Sequence, residues 1–381
     1  MASFDSNHVN GVSYTDDDAT SEGSVADRIA ELNRRRQVTF PNKRTIERRK
    51  PRRWPLVLRF VKGAIHSNIA IAAVLHALFT LLVVCLDLYV NVRADLPPSI
   101  VPSLSIVVGL MLVFRNQTSY NRFWDGRNNL TTIITATRNL TRSFLCTSYK
   151  TGQDTTDAER ADIERAVRIL MAIPSSVKNS LRAEWGAAWA PITKQDFNRV
   201  SGAVTPRLNP DYAQLLPLGL KGHEEEGLAL PIELTALLEG FIKRGHDRGW
   251  FHAPGTSQLT VQVNTLIDAY GKMETIRYTQ YPVAIMIHQR QVLALFGAVL
   301  PLAIVEESHW WSILIVSLVM FTLYGIEAIA CQLEDPFGYD KNDIKMDAIV
   351  EDARTELSVM LNEWRSCNDG PIKKQMFVEE I

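Results

Sequence analysis

Three large apolar side chains, Ile106, Leu110 and Phe114, recur at a spacing of four residues. Residues four apart share one face of a helix, so these side chains would stack along it. If several copies of the chain surrounded one axis, this face would form successive apolar collars, which can gate a path by dewetting. The positive edge of the Phe114 ring would tolerate an anion better than a cation. The alternative is that this face packs against the preceding apolar segment of its own chain.

Ionisable residues inside apolar segments are a second candidate for chemistry. His76 and Asp87 interrupt the first apolar segment, and Glu327 lies in the last one. Such residues are functional candidates by default, and together they could relay protons in a carrier of small carboxylates. The sequence has no P-loop, G-x-S-x-G, G-x-G-x-x-G or H-E-x-x-H motif, so we expect no enzyme.

Four apolar segments would position these residues: Ile69–Val90, Ile100–Phe114, Val292–Val305 and Trp310–Ile329. The first and last are long enough for a hydrocarbon core, which needs about 20 residues. The second and third are short, and the third contains Pro301. Short or interrupted helices are tolerated at membrane depth where they line a water-filled path or are buried in protein. We therefore expect the second and third segments to lie nearest a pore, with a pair of soluble core helices as the alternative.

The charge distribution predicts the orientation of the chain in the membrane. The net charge is −1, which excludes a global basic field for nucleic acid. Residues 34–62 carry twelve Lys and Arg and one acid, Glu47. This segment is typical of a cytoplasmic, lipid-contacting juxtamembrane stretch, although a solvated basic tail or a nuclear signal has the same composition. Four spans would return the C-terminus to the cytoplasmic side.

The remainder of the chain has amphipathic helical periodicity. Helices are expected at Ala161–Leu181, Ile232–Lys243, Gln258–Ile276 and Asp347–Trp364, and a loop at Lys194–Gly227. The predicted organisation is a disordered cytosolic tail with a basic end (1–50), two membrane segments with the pore neck (51–124), a cytosolic helical region (125–290), two further membrane segments (291–333) and a cytosolic C-terminal segment (334–381).

Three motifs resemble those of the bestrophin family, including its bacterial, fungal and plant branch. Phe114-Arg115-Asn116 followed by Tyr120–Arg127 is similar to F-R-N-x-x-x-Y-x-R-W-W-E-x-R. Glu334–Asp343 is similar to the family's P-F-G-x-D-x-x-D block after the last span. A weaker block comprises Glu274–Ile276 and Thr279–Ala284. The resemblance covers about residues 57–361.

The resemblance implies an all-α membrane protein with four transmembrane segments per subunit and a cytosolic helical region, assembled as a homopentamer around one axial pore. Its neck would be lined by Ile106, Leu110 and Phe114, and a deeper cytosolic constriction would fall at Tyr281, where the family usually has a small aliphatic residue. The motif residues expected to have structural roles are Arg115, Asn116, Arg122, Trp124, Asp125, Arg127, Pro336, Phe337 and Gly338.

The charged residues of these motifs have two possible roles each. Arg115, Arg122 and Arg127 could attract anions. We expect them instead to form buried pairs with carboxylates such as Asp125 or Glu334, so that helix N-termini stabilise the anion. Asp340 and Asp343 match two carboxylates of the calcium clasp that animal bestrophins have. Calcium needs six to eight oxygen ligands, and local capping is the alternative role for this pair. No cofactor is expected to be required.

The sequence therefore predicts passive conduction of chloride and other small anions by a multi-pass membrane protein in contact with lipid. The plasma membrane is the expected location, with an intracellular membrane as the alternative. No nucleic-acid partner is expected. The two rival functions are a proton-coupled carrier of small anions and a non-conducting membrane scaffold.

Overall fold

The computed structural model describes residues 66–90, 96–149, 155–183, 210–212, 215–217, 220, 222–279, 281–340 and 342–368. The predicted disordered tail, the basic segment at 34–62 and most of the predicted loop at 194–227 lie outside these residues, as does the end of the C-terminal segment. Within the described part there is no strand, and eight α-helices follow one another: α1 His66–Cys85, α2 Ile100–Thr147, α3 Asp157–Leu181, α4 Leu230–Asp247, α5 Ala253–Tyr278, α6 Val283–Ser308, α7 Trp311–Glu334 and α8 Met346–Asn368.

Four of these helices are long and apolar enough to cross a membrane, as predicted: α1 with the π-helical turn that extends it to Val90, the first part of α2, α6 and α7. Only 17% to 28% of the residues in their apolar windows are buried. Much of their apolar surface therefore remains to be covered by lipid or by other copies of the chain.

The second and third segments are not short, contrary to the prediction. The second is the first third of α2, a continuous helix of 48 residues. The third belongs to α6, which has 26 residues and contains Pro301. At 1.5 Å per residue, α2 is about 70 Å long and extends well beyond the hydrocarbon core. It also runs without a break across residues 124 and 125, where the predicted membrane region 51–124 meets the predicted helical region 125–290. The limits of the predicted regions stay predictions.

The cytosolic helices enclose one large apolar core. It is formed by the second half of α2 with α3, α4, α5 and α8. Phe144 of α2 is fully buried there, with its ring centroid 4.7 Å from that of Phe241 on α4. The predicted amphipathic helices are confirmed, each a few residues longer than expected. Their apolar faces meet because each helix alone leaves one face to bury.

Charged and polar side chains fix the helix ends around this core. Thr156 and Glu159 form a capping box at the start of α3, with the Glu159 amide donating to Thr156 Oγ1 at 3.3 Å. Arg182, just after α3, makes a bidentate pair with Asp347 of α8, with both N···O distances 3.0 Å. These contacts anchor α3 and α8 in one orientation, which in turn holds the cytosolic half of α2.

Candidate ion-conducting face of the second helix

The predicted neck residues form an exposed apolar stripe on α2. Ile106, Leu110 and Phe114 are 63%, 53% and 69% exposed. The opposite face of the same turns is buried, with Val108 and Leu112 packed on α6 and α7. The stripe does not pack against α1, so that alternative is wrong. A row of large apolar side chains that its own chain leaves exposed can face lipid, another subunit or a pore.

Arg115 holds this stretch of α2 against α7. Its side chain is only 1% exposed, and its Nη2 donates to Glu334 Oε2 at 2.7 Å. Its Nε lies 4.0 Å from Glu327 Oε2, which also accepts from Gln289 Nε2 at 2.7 Å. The predicted buried pair between Arg115 and Glu334 is confirmed. Because Arg115 follows Phe114 directly, the pair fixes the rotation of α2 and keeps the Phe114 face turned outward.

Arg122 contacts backbone carbonyls in place of the predicted carboxylate, and Arg127 contacts a hydroxyl. Arg122 donates to backbone carbonyls, from Nη2 to Ile276 O at 2.6 Å and from Nε to Glu334 O at 3.1 Å. It thus ties α2 to the ends of α5 and α7. Arg127 Nη1 donates to Thr131 Oγ1 at 2.5 Å. The Asp125 side chain, the predicted carboxylate partner, is exposed.

Other aromatic and amide residues of the first motif lie at the edge of this surface. Trp124 is exposed, and its ring makes edge contacts with Tyr120 and Phe123. Asn116 is half-buried, and its Oδ1 is a buried acceptor without a hydrogen-bond partner in the described residues.

Tyr281, the predicted cytosolic constriction, lies beside Arg115, and its place along a pore stays a prediction. Its ring centroid lies 4.2 Å from the Arg115 guanidinium carbon, and its backbone N–H donates to Glu334 Oε1 at 3.2 Å. It therefore lies at the level of the base of the neck, beside the residue that follows Phe114. The short turn from α5 to α6 places it there. Its cation–π contact supports a role in holding Arg115.

The P-F-G block is part of the framework of α2. Phe337 is 1% exposed, and a Cβ added at Gly126 would lie 2.9 Å from its ring and 3.3 Å from Pro336 Cγ. Only glycine allows this close approach of α2 to the segment after α7. A Cβ at Gly338 would lie 2.7 Å from Asp343 Oδ2. Sequence reasoning paired neither glycine with its neighbour, because the contacts join distant parts of the chain.

The candidate calcium ligands Asp340 and Asp343 are joined by a local hydrogen bond. Asp343 is 9% exposed, and its Oδ2 accepts the Asp340 amide at 2.8 Å, which is the capping role. Burial raises the pKa of the Asp343 carboxyl, and the Asp340 and Asp335 carboxylates add to the increase. No group of three or more Asp, Glu, His or Cys residues in the described part is arranged to hold a metal.

The three ionisable residues inside the spans do not form one relay. His76 Nε2 lies 3.3 Å from the Tyr324 hydroxyl, and Glu327 is engaged by Gln289 and Arg115. Asp87 is eleven residues from His76 on the same segment, about 16 Å along a helix. Sequence reasoning missed Gln289, although a polar amide beside an apolar run was a usable signal.

The fold and the exposed face of α2 define a class of multi-pass, all-helical membrane protein. The sequence model of the family of bacterial and fungal bestrophin proteins matches residues 45–359, which is most of the chain. The chain belongs to this bestrophin family.

Proteins similar to this chain are described as anion channel-forming proteins or as bestrophin homologs. A voltage-dependent anion channel-forming protein of Nostoc sp. is 32% identical over 289 residues, covering 76% of this chain and 84% of the relative. A protein of the same description from Synechocystis sp. is 29% identical and covers 84% of this chain and 97% of the relative. A mutant crystal structure of a bacterial bestrophin homolog from Klebsiella pneumoniae has a TM-score of 0.60 at 22% identity, covering 77% of this chain and 99% of that chain.

Proposed function

We propose that this chain is the subunit of a passive anion channel in which five copies surround one axial pore. The observation that carries the proposal is the exposed stripe of Ile106, Leu110 and Phe114 on a helix whose opposite face is buried. The descriptions of the cyanobacterial relatives as anion channel-forming proteins support the same function.

In this assembly the exposed stripe lines the narrow neck. Side chains of Ile106 and Leu110 offer no hydrogen bonds, so an ion gives up part of its hydration shell to pass. Phe114 ring edges turned to the axis present positive partial charge, which reduces this cost for an anion and not for a cation. Arg115 contributes no free charge to the pore, because Glu334 and Glu327 neutralise it inside the subunit.

The outer surface of the assembly contacts lipid. Exposed aliphatic residues of α1, among them Ile71, Leu75 and Leu78, form a suitable surface. The plasma membrane is the proposed host, with the basic segment before α1 on its cytoplasmic side. Calcium, matched in sequence by Asp340 and Asp343, is proposed only as a modulator, and no cofactor is proposed for conduction itself.

The direct test is reconstitution of the purified protein in planar bilayers and liposomes under a chloride gradient. The proposal predicts a reversal potential close to the chloride equilibrium potential and flux that follows voltage without a proton gradient. The same recordings with and without calcium test modulation, and light scattering tests the five-copy mass. Flux that requires a proton gradient would indicate a carrier, and purified protein that never conducts would indicate a scaffold.

A further inference from the structure

Two amide side chains follow the neck on the exposed side of α2. Gln117 and Asn121 come three and seven residues after Phe114, about 5 and 10 Å further along the helix axis. Both are exposed, whereas Arg115 and Ser119 between them are buried on the side that faces α7. An ion that leaves the apolar stripe of α2 would therefore meet these amides first.

The two amides are bonded to each other in a way that leaves most of their N–H groups free. Gln117 Nε2 donates to Asn121 Oδ1 at 2.9 Å. Two side-chain amides have four N–H groups, and this bond uses one of them. Three N–H groups therefore remain to donate to another partner. This number is the same if both amides are rotated by half a turn, because the bond then runs in the opposite direction.

Their surroundings make these free donors relevant to an ion. The two neighbouring positive charges are engaged within the chain. Arg115 pairs with Glu334 at 2.7 Å, and Arg122, which follows Asn121 directly, donates to the backbone carbonyls of Ile276 and Glu334. The next titratable group on the exposed side is Asp125, one turn beyond Asn121, and its carboxylate would favour a cation. The two amides are thus the exposed neutral side chains beyond Phe114 that can donate hydrogen bonds to an anion.

We propose that Gln117 and Asn121 are specificity-determining residues of the channel, and that their N–H groups form a neutral donor ring directly below the neck. The ring would coordinate small monovalent anions, such as chloride or nitrate, as they emerge partly dehydrated from the Phe114 collar. It replaces lost water without burying a positive charge, whose desolvation is costly. The inference rests on the proposed channel function and adds the groups that distinguish anions from cations.

The test replaces each amide by the carboxylate of the same shape. Gln117→Glu and Asn121→Asp turn donors into acceptors, and acidic rings are what cation channels use. We expect the permeability ratio of chloride to sodium, taken from reversal potentials in a salt gradient, to fall about tenfold or more for each variant. The measurement is made well above the ordinary Glu pKa of about 4.3, so that the new carboxylates are charged.

A matched control adds the same charge elsewhere. Asn264 is an exposed amide on α5, twelve residues before Ile276, which accepts from Arg122, and so about 18 Å along the helix from that contact. Asn264→Asp makes the same chemical change at this distance from the amide pair. We expect its permeability ratio to stay within about twofold of the wild type, because salt screens a charge more than about 10 Å away. An equal loss of selectivity in Asn264→Asp would overturn the proposal, since it would show a general effect of added charge.

A second variant keeps the inference testable if the Gln117→Glu and Asn121→Asp channels fail to assemble. Gln117→Leu removes the donors without adding charge, and we expect it to lower chloride conductance about threefold or more while the oligomer is retained on gel filtration. Wild-type currents with unchanged conductance and selectivity in both Gln117 variants would overturn the inference and leave the channel function intact. Absence of anion current in the wild type would instead overturn the proposed function.

Discussion

The two halves of α2 are one continuous helix in two different environments. In residues 103–118 the large side chains Ile106 and Phe114 point away from the chain and are more than half exposed. In residues 130–145, Leu130, Leu140 and Phe144 are completely buried on the cytosolic helices. The second half therefore contributes to the stability of the single subunit on this face, whereas the exposed stripe of the first half contributes little to it. Large apolar side chains that the chain leaves uncovered need an explanation from function or assembly.

The largest difference between the halves should come from two identical truncations. Phe144→Ala removes a fully buried ring that contacts Phe241, which we expect to cost about 3–5 kcal/mol of unfolding free energy. Phe114→Ala should leave the unfolding free energy of the subunit nearly unchanged while altering ion conduction. Unfolding followed by circular dichroism in detergent measures both. Equal destabilisation by the two variants would mean that Phe114 is packed in the protein interior.

Two glycines on α2 sharpen the comparison. Gly126→Ala forces a Cβ to within 2.9 Å of the buried Phe337 ring, and overpacking of this kind costs about 1–3 kcal/mol. Gly109→Ala places its Cβ where no atom of the chain lies within 4 Å. Alanine stabilises an open helical position by up to about 1 kcal/mol relative to glycine. We therefore expect a lower thermal midpoint for Gly126→Ala and an unchanged or higher one for Gly109→Ala; a lower midpoint in both would indicate close packing on Gly109 from another subunit.

The cytosolic half should also respond to pH in a way that the neck does not. Asp162 of α3 is 7% exposed and accepts hydrogen bonds from Arg244 and Arg248 at 2.8–3.1 Å. Burial by itself would raise the pKa of Asp162, but the hydrogen bonds and charges of the two arginines outweigh it and lower the pKa. A lowered folded-state pKa gives stability that is present above the unfolded value of about 3.9 and is lost as the pH falls through the folded one.

Asp162→Asn tests this linkage. We expect it to cost about 1–2 kcal/mol at neutral pH, at the low end for charged hydrogen bonds because both arginines are partly exposed. The difference from the wild type should shrink as the pH falls below about 4, because the wild-type carboxyl is then protonated first in the unfolded state and, at lower pH, in the folded state. Denaturant unfolding at a series of pH values measures it. A difference that does not depend on pH would show that the charge of Asp162 is not what stabilises this cluster.

The sequence predicted the four spans and the cytosolic helices because each has a strong apolar pattern. It predicted that the second apolar helix runs on past Phe114 into the polar stretch that ends at Arg127, but not that α2 continues to Thr147. The apolar spacing of Leu130, Ile133 and Phe144 was the available sign that the helix continues.

The site could be predicted where it depends on helix periodicity and not where it depends on packing. The burial of Arg115 was expected from the resemblance of its motif, and the shared face of Ile106, Leu110 and Phe114 follows from their spacing. The position of Tyr281 beside Arg115 does not, because the turn between α5 and α6 determines it. The carbonyl partners of Arg122 could not be predicted from the sequence either, since any residue can supply a backbone oxygen.

The central claim, that the exposed stripe of α2 lines the pore, is tested most directly by the single-channel conductance of the triple variant Ile106→Ala, Leu110→Ala and Phe114→Ala. Its control is the triple variant Ile71→Ala, Leu75→Ala and Leu78→Ala on α1, where the side chains are also more than half exposed but should face lipid. We expect the α2 variant to show higher conductance or loss of gating, because shorter side chains widen and wet the constriction. The α1 variant should conduct like the wild type. An α2 variant with wild-type conductance and gating would contradict the account.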